Sequence, residues 1–382
     1  MLRIAIIGAG GISRAHLDGY LEFPDQCEVV ALCDLSLAKA VARRAEYGLA
    51  GVRVYDDPAA MLAAEKLDLV SVTTPPASHA PVTVAALWAG VNVLVEKPMA
   101  PSLEDCDAML AAQRATGKLL SVVAQNRFRD DLATLKEVLE SGLPGPVSHL
   151  QVNSAWSRGL AYYDLWWRGT WASEGGGCTL NHAIHHIDLT LWLLGRPKAV
   201  TAVLTNAQHD NSEVEDLSVA ILAYERALAE LTSSVVHHGE EREIVVQARD
   251  ARVSQPWRAV ADLHQPNGFP AGSNAALVER LDALASAHRP LAHTDHAGQI
   301  GDVLDALATG RPPTIDGLDG RNAIEVVTAI YESAIEGRTV ALPLAADDPY
   351  YRAGTLVERA PRFFAKTAAV ADQDGFVTVS DH

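Results

Sequence analysis

The sequence predicts an α/β protein that begins with a doubly wound parallel sheet and continues into a second domain. Its 382 residues exceed the length of one ordinary domain and suit two. Short runs rich in β-branched residues alternate with helical stretches over the first 125 residues, which is typical of βαβ units. A glycine-rich turn directly after the first of these runs supports the same fold class.

Five apolar runs are predicted as the strands of this first sheet. They are RIAIIGAG, EVVALCD, LDLVSVTT, VNVLVEKP and LLSVVAQN. The stretches between them carry apolar residues at helical spacing, and three of these stretches end in or just before glycine, as helices commonly do. We therefore predict that residues 1–125 form one doubly wound domain.

The remaining residues, 126–382, are predicted to form the second domain. Five segments of alternating polarity are expected to be strands with one packed face: VSHLQVNSAWS, KAVTAVLTN, LSVAILAY, ALAELTSSVVH and REIVVQA. Apolar stripes predict helices at about 295–309 and 319–336. The Pro- and Gly-rich stretch 264–274 is predicted as a loop, and the tail beyond 345 lacks strong periodicity.

Composition narrows the possible functions. The formal net charge of −17 repels nucleic acid and anionic lipid surfaces, so neither is an expected partner. No apolar run approaches the roughly 20 residues of a membrane span, and the N-terminus lacks the features of a secretory signal. The four cysteines show no CxxC pair, which favours a reducing, cytoplasmic location over a disulfide framework.

The turn after the first strand reads GAGGIS over residues 8–13, a version of the dinucleotide-binding fingerprint. Gly8 permits a tight turn, Gly10 allows the backbone to approach a pyrophosphate, and the next helix directs its N-terminus at the negative charge. A glycine turn also serves plain strand-to-helix packing, which is the alternative interpretation. The cofactor-binding residues predicted here are Gly8, Gly10, Gly11, Ile12 and Ser13.

The second strand ends in Asp34, 24 residues after Gly10, where an acidic side chain is expected to hold a ribose 2′-hydroxyl. Such a carboxylate favours NAD over NADP, because it would repel a 2′-phosphate. Arg43 and Arg44 lie well into the following helix and are predicted to face solvent. A polar strand end is the alternative interpretation of Asp34.

Two further motifs lie at the carboxyl ends of later strands, where an open α/β sheet binds its ligands. In TTPPASHAP, Thr74 and Pro75 belong to a stiff loop, and His79 stands near the start of the next helix. In EKPMA, Glu96 and Lys97 follow a strand directly. Burial or a neighbouring cation would lower the pKa of Lys97 and suit it to proton transfer, whereas a surface pair with Glu96 is the alternative.

Residues 175–188, GGGCTLNHAIHHID, combine three histidines with an asparagine and an aspartate in a segment that is predicted to start a helix. Helical spacing places Asn181, His185 and Asp188 on one face, with His182 and His186 on the neighbouring face. His182 and His186 have the i, i+4 spacing of metal ligands, but no third ligand is apparent, so we predict no metal. Ordinary hydrogen-bonded or interface histidines are the simpler interpretation of that pair.

Five motifs in this order resemble the Gfo/Idh/MocA family, the group of glucose–fructose oxidoreductase and inositol dehydrogenase. They are the glycine turn, TPPASH, EKP, QNRF and GGGCTLNHAIHHIDL, which together extend from Gly8 to Asp188. The resemblance implies an N-terminal Rossmann domain that binds NAD and a C-terminal α+β domain with a large open, mostly antiparallel sheet. It also implies homodimers or homotetramers formed through that sheet, with the nicotinamide held between the domains.

The resemblance further implies roles for particular residues. In the family the motif histidine, His185 here, contacts the substrate, and Asp188 is predicted to orient its ring or to close a network behind it. Asn181 stands where an aspartate is usual, and an amide cannot accept a proton. Lys97 is therefore predicted as the general acid/base, with His185 as the alternative. The cofactor contacts predicted in these motifs are Thr74, Pro75, His79, Glu96, Lys97 and Gln125.

The segment WSRGLAYYDLWWRGTWASEGGG supplies aromatic rings and guanidinium groups just ahead of the histidine-rich run. Aromatic rings stack on sugar faces and arginine pairs with carboxylate or phosphate groups. About half of these aromatic residues are expected in the core instead. The substrate-binding residues predicted are Arg158, Trp167, Arg168, Asn181 and His185.

Together these observations predict an NAD-dependent dehydrogenase that acts on a sugar, sugar derivative or cyclitol, acidic ones included. One alternative is a redox-neutral glycosidase, which oxidises its substrate on bound NAD, eliminates the aglycone, adds water and reduces the product again. The other is a catalytically silent NAD-binding regulator, which would have no need of a proton-transfer group.

Overall fold

The computed structural model describes residues 1–370, in which a parallel sheet is followed by a larger mixed sheet. The strands of the first sheet are β1 (Leu2–Ile7), β2 (Cys27–Cys33), β3 (Arg53–Tyr55), β4 (Leu69–Val72), β5 (Asn92–Val95) and β6 (Leu120–Val122). They are all parallel, in the order β3-β2-β1-β4-β5-β6. The predicted doubly wound sheet is confirmed, and the three-residue β3 is an addition to the predicted strands.

Helices cover both faces of this sheet, which explains why β4 is buried along its whole length. The helices that follow its strands are α1 (Ser13–Leu21), α2 (Leu37–Glu46), α3 (Pro58–Ala64), α4 (His79–Trp88) and α5 (Leu103–Thr116), and α6 (Asp130–Glu140) comes after the sheet and packs mainly on the second domain. The strand order changes direction between β1 and β4, which are neighbours in space. Open α/β sheets bind their ligands beyond the carboxyl ends of the strands at such a point.

The second sheet confirms the predicted large, mostly antiparallel arrangement. The later strands are β7 (Val147–Ala155), β8 (Ala199–Thr205), β9 (Leu217–Ala223), β10 (Leu228–Ser234), β11 (Ile244–Ala248), β12 (Arg252–Gln255), β13 (Arg258–Val260), β14 (Asp262–His264), β15 (Pro270–Ser273) and β16 (Val340–Ala341). Eight of them form a sheet in the order β13-β12-β11-β7-β10-β9-β8-β16, in which β7 and β10 are parallel and the other neighbours antiparallel.

The hairpin β14–β15 corrects one prediction, because stretch 264–274 was expected to be a loop without strands. Pro266 and Gly268 do lie in the turn, but Pro270 and Gly272 belong to β15 and pair with His264 and Leu263 of β14. All residues of β14 and β15 are exposed, so the hairpin leaves no apolar alternation from which it could be predicted.

Two helices near the end of the chain pack against the first domain. The helices of the second domain are α7 (Cys178–Asn181), α8 (Ile184–Leu194), α9 (Ala275–Ser286), α10 (Asp295–Thr309), α11 (Gly317–Glu336) and α12 (Thr355–Arg359). Helix α10 packs against α1 and buries Ile300 and Val303 in one cluster with Ile4 and Ile6 of β1. Helix α11 contacts α5 and β6 as well as α8 and β8. Within residues 1–370, no helix is both long and apolar enough to cross a membrane.

Candidate active site

The glycine turn follows β1 and lies against the end of β4. Gly8 has a φ of +107°, and a Cβ atom there would lie 2.6 Å from the carbonyl oxygen of Thr73. The Thr73 hydroxyl donates a hydrogen bond to the Gly8 carbonyl oxygen at 2.7 Å, which stabilises the turn. Gly10 is exposed and a Cβ there would meet open space, which leaves its backbone accessible to a ligand.

Asp34 and Arg43 hold this turn from β2 and α2. The Asp34 carboxylate accepts the amide hydrogens of Ala9 and Ser36, both at 2.8 Å. The Arg43 guanidinium donates to the carbonyl oxygens of Gly10 at 2.9 Å and Ala9 at 3.2 Å, and the residue is only 6% exposed. The prediction that Arg43 faces solvent is therefore wrong, because the helix turns this side chain back toward the glycine turn.

Two residues predicted as cofactor contacts have their side chains engaged elsewhere. Both ring nitrogens of His79 lie 2.7 Å from backbone carbonyl oxygens, one from Thr74 and one from Pro98. His79 is 1% exposed, so it joins the two loops that follow β4 and β5 and does not reach into the crevice. The Glu96 carboxylate is 3% exposed and faces His16, so both side chains are engaged within the protein, and a contact of either residue with the cofactor stays a prediction.

Lys97 occupies the carboxyl end of β5, and its side chain crosses to the second domain. Its Nζ donates to the backbone carbonyl oxygen of Asn181 at 3.0 Å. Burial lowers the pKa of Lys97, and the nearby guanidinium groups of Arg168 and Arg158 lower it further, while Glu96 opposes them. A lysine with a lowered pKa is the expected form of a general base near neutral pH.

The histidine-rich run is not one helix, and this corrects the predicted faces. Helix α7 ends at Asn181 and α8 begins at Ile184, so the helix is interrupted at His182 and Ala183. The Nε2 atom of His182 lies 3.3 Å from the Tyr162 hydroxyl, whereas His186 is buried on the other side, where burial and then Arg242 lower its pKa to about 4. His182 and His186 therefore have different surroundings, and helical spacing did not reveal that His182 lies beside Tyr162 and near Lys97.

Asp188 was predicted in two alternative roles, and its contacts fit the second of them. Its carboxylate accepts two hydrogen bonds from Arg127, from Nε at 2.8 Å and from Nη2 at 2.6 Å. Both side chains are buried, so the pair fastens α8 to the QNRF segment after β6. Because its oxygens are committed to Arg127, Asp188 does not orient the His185 ring, and the alternative prediction, that it closes a buried network, fits this pair.

The three glycines before α7 allow the chain to pass close to buried groups. A Cβ atom at Gly176 would lie 2.2 Å from the Tyr331 hydroxyl, and one at Gly177 would lie 1.9 Å from the Glu215 carbonyl oxygen. The Glu215 carboxylate, which is fully buried, accepts the amide hydrogens of Gly177 and Thr179 at 3.0 Å. Glu215 therefore holds the start of α7 in place, and no motif pointed to it.

The predicted arginines both lie near Lys97, and each is paired with a glutamate. Arg158 donates to Glu240 at 2.6 Å, and Arg168 donates to Glu174 at 3.2 Å. The Arg168 guanidinium also stacks 4.2 Å from the ring centre of Trp167. Among the aromatic residues of the segment, Tyr163 and Trp171 are core residues and are at most 2% exposed.

Asn181 and His185 lie on the two short helices that face Lys97. The side-chain amide of Asn181 donates through Nδ2 to the Gly176 carbonyl oxygen at 3.0 Å. The side-chain oxygen of Asn181 can therefore accept a hydrogen bond from a substrate hydroxyl. His185 and Lys97 line one small cavity. Burial and then Lys97 hold the pKa of His185 well below its ordinary value, so its ring is neutral at pH 7.

The residues of the crevice fit a dinucleotide. The exposed glycine turn and the N-terminus of α1 present backbone amides to a pyrophosphate, and Asp34 lies at the end of β2 beside them. Gln125 supplies independent support, because its Oε1 atom is buried and has no hydrogen-bond partner among the described residues. An orphaned acceptor of this kind at the end of β6 suits an amide donor such as that of nicotinamide.

Fold and site together define a two-domain, NAD-binding oxidoreductase, and comparison with known proteins supports this. The oxidoreductase family with an NAD-binding Rossmann fold, Gfo/Idh/MocA, matches residues 2–124, and the C-terminal domain of the same family matches residues 132–254. The chain therefore belongs to the Gfo/Idh/MocA family, and NAD is its cofactor.

Relatives in this family are named as dehydrogenases of sugars and inositols. D-Apiose dehydrogenase of Paraburkholderia graminis is 28% identical over 90% of this chain and 91% of its own length. D-Glucoside 3-dehydrogenase of Escherichia coli is 36% identical, but the alignment covers only 53% of this chain and 57% of that protein. The WlbA dehydrogenase of Bordetella pertussis, solved with NADH and UDP-GlcNAcA, has a TM-score of 0.77 at 27% identity, over 90% of this chain and 99% of its own.

Proposed function

We propose that this protein oxidises a hydroxyl-bearing carbon of a sugar, sugar derivative or cyclitol, with Lys97 as the general acid/base. The observation that supports this most directly is the contact of Lys97 Nζ with the Asn181 carbonyl oxygen at 3.0 Å. It brings the lysine from the cofactor domain to the helices that carry Asn181 and His185. Bound NAD supplies the hydride acceptor.

In this mechanism, Lys97 takes the hydroxyl proton as hydride leaves the same carbon, so that an alcohol becomes a carbonyl group. Neutral Lys97 is required for the oxidation, and its burial beside Arg158 and Arg168 increases the neutral fraction. The side-chain oxygen of Asn181 accepts a hydrogen bond from a substrate hydroxyl and so fixes the orientation of the substrate ring. His185, which is neutral, binds a second hydroxyl and is the alternative proton acceptor.

A substrate panel tests this function against its alternatives. The purified protein is incubated with NAD and free sugars, cyclitols, sugar acids or aryl glycosides, while NADH absorbance and aglycone release are followed together. NADH that accumulates with a free sugar or cyclitol supports the dehydrogenase. Aglycone release that depends on NAD but produces no NADH would instead establish the redox-neutral glycosidase, and NAD binding with no turnover across the panel would favour the silent regulator.

The pairing of both arginines makes an uncharged substrate the expected one. Glu240 and Glu174 already accept from Nη1 of Arg158 and Arg168, so each guanidinium charge is partly neutralised and attracts a substrate carboxylate less than an unpaired arginine would. Replacing Glu240 by glutamine removes the negative charge that faces Arg158, although the amide oxygen can still accept its hydrogen bond, and we expect the ratio of kcat/KM for a sugar acid to that for the matching neutral sugar to rise about tenfold. Glu241→Gln, a change of the same charge on an exposed neighbour, serves as the control. A wild-type preference for the acid would contradict this expectation.

Asp34 is proposed to set the preference for NAD over NADP. The Asp34→Ala variant removes the carboxylate that would repel a 2′-phosphate, so we expect the NADP-to-NAD ratio of kcat/KM to rise at least about tenfold. NAD binding should also weaken, because the amides of Ala9 and Ser36 lose their acceptor. Steady-state kinetics with both cofactors measures the ratio, with the exposed Asp56→Ala as a control. A wild-type enzyme that already prefers NADP would contradict the role proposed for Asp34.

Assembly into homodimers or homotetramers through the second sheet also stays a prediction.

A further inference from the structure

A buried hydrogen-bonded chain lies directly behind Lys97. The Tyr20 hydroxyl is 2.7 Å from Ser71 Oγ, which is 2.9 Å from His16 Nδ1. His16 Nε2 is in turn 3.0 Å from Oε1 of Glu96. None of these four side chains is more than 4% exposed, although they come from α1, β4 and the end of β5. They form one polar network inside the first domain.

Helix α10 adds a second histidine to this network from a distant part of the chain. His296 Nε2 lies 3.3 Å from the same Oε1 atom of Glu96, and the rings of His16 and His296 meet edge to face at 5.5 Å. His296 is 7% exposed. Oε1 of the Glu96 carboxylate therefore accepts hydrogen bonds from two histidine rings. The other oxygen, Oε2, can accept a hydrogen bond from the backbone.

The other oxygen of Glu96 reaches the catalytic lysine through the main chain. Glu96 Oε2 accepts the amide hydrogen of Lys97 at 3.0 Å, so the carboxylate fixes the peptide from which the lysine side chain extends. Burial alone would raise the pKa of Glu96, but the hydrogen bonds from His16 and His296 hold it well below its ordinary value. Burial lowers the pKa of His16, so a neutral ring donates to an ionised carboxylate.

We propose that Glu96, held ionised by His16 and His296, is a positioning residue for Lys97 that fixes its peptide and supplies the negative charge opposing Arg158 and Arg168. This inference rests on the proposed role of Lys97 in proton transfer. Without such a charge, burial and the two guanidinium groups would lower the pKa of Lys97 further, which would leave less of the protonated lysine that returns a proton in the reverse reaction.

The charged groups around the pair come from several elements. Among residues 1–370, the charged groups that act on Lys97 are the cations Arg158 and Arg168 of the second domain and the anion Glu96. His182 and His185 lie close to Lys97, and burial holds the pKa of each well below its ordinary value. Around Glu96, the described titratable groups that it also acts on, beyond its two hydrogen-bonded histidines and Lys97, include His79 and His185. Glu96 is thus the main negative charge that acts on Lys97.

The Glu96→Gln variant tests this charge with little change in shape. An amide oxygen can still accept from the Lys97 backbone, and the amide nitrogen can donate to His16 if that ring changes tautomer. Loss of the negative charge lowers the pKa of Lys97, so the rise of kcat/KM with pH in sugar oxidation should move about one unit toward lower pH. A purely structural role would lower kcat/KM at all pH values without moving the midpoint, and an unmoved midpoint in the folded variant would overturn the proposal.

His296 provides a second test that does not depend on the folding of the first variant. His296→Gln can still donate to Glu96, so it should keep the wild-type pH profile. His296→Leu cannot donate, so the Glu96 carboxyl protonates more easily and the low-pH part of the profile should move in the same direction as in Glu96→Gln. Identical profiles for the two His296 variants would count against the proposal.

Metal analysis and a Lys97 variant separate the remaining outcomes. One ligand atom from each of His16, Glu96 and His296 lies within 4.8 Å of the others, a spacing that also suits a metal ion. A stoichiometric metal in the purified wild-type protein that His296→Leu loses would overturn the hydrogen-bonded interpretation. If Lys97→Ala kept full activity, the proposed function itself would fail, whereas an inactive Lys97→Ala with an unshifted Glu96→Gln would refute only the role of Glu96.

Discussion

Replacement of Lys97 by alanine is expected to lower kcat for substrate oxidation by roughly 10²- to 10⁴-fold, the usual contribution of a positioned general base. NAD binding should survive, because the glycine turn and Asp34 lie on other strand ends. Stopped-flow or steady-state measurement of NADH formation gives kcat, and quenching of protein fluorescence by NAD gives the dissociation constant. Turnover that stays within about threefold of the wild type would mean that another group, with His185 as the first candidate, moves the proton.

Lys136→Ala is the matched control for this experiment. Lys136 is also a partly buried lysine whose Nζ donates to a backbone carbonyl oxygen, that of Trp192 at 2.7 Å, but it lies on α6. It should therefore show wild-type kcat with a comparable change in stability. In the wild-type protein, kcat/KM for oxidation should rise with pH, because neutral Lys97 is the active form, and the lowered pKa of Lys97 places this rise below the range of an exposed lysine.

Sequence patterns predicted the elements of the fold better than their partners in space. The β-branched runs of the first domain and the apolar stripe of α10 marked these elements within a few residues. The stripe could not show that α10 packs on α1, or that it brings His296 to Glu96, 200 residues earlier in the chain. The strand β3 has only three residues, too few for a periodicity to be recognised.

The candidate site was predicted where a motif places a side chain at a strand end, and was missed where tertiary contacts redirect the chain. Lys97 and Asn181 were predicted from their motifs, and the structure brings them together. His182 was assigned to the wrong surroundings, because ideal helical spacing was assumed across a break between α7 and α8. Glu215 belongs to no motif. Its role in holding α7 follows from the hydrogen bonds that it accepts from two backbone amides.

Replacement of Gly177 by alanine is expected to have the largest effect on stability. The new Cβ atom would lie 1.9 Å from the Glu215 carbonyl oxygen and 2.8 Å from Glu215 Oε2, so the chain must move away from Glu215. That movement breaks buried hydrogen bonds from the amides of Gly177 and Thr179, each of which costs about 1–3 kcal/mol when its partner is left unsatisfied. We expect a loss of at least about 3 kcal/mol in the free energy of unfolding, once the strain of overpacking is included.

Gly10→Ala distinguishes this packing role of glycine from a ligand-binding role, because a Cβ atom at Gly10 meets no atom within 4 Å. Gly10→Ala should keep the wild-type Tm and weaken NAD binding about tenfold or more, since the added methyl group occupies the approach to the exposed turn. Gly177→Ala should show the opposite pattern. We expect its Tm to be several degrees lower and its turnover to be lost, while the folded fraction of the variant still binds NAD. Calorimetry and NAD titration of both variants measure the two effects. If Gly177→Ala melted at the wild-type temperature, the close approach of α7 to Glu215 would be wrong, and with it the geometry that places Asn181 against Lys97.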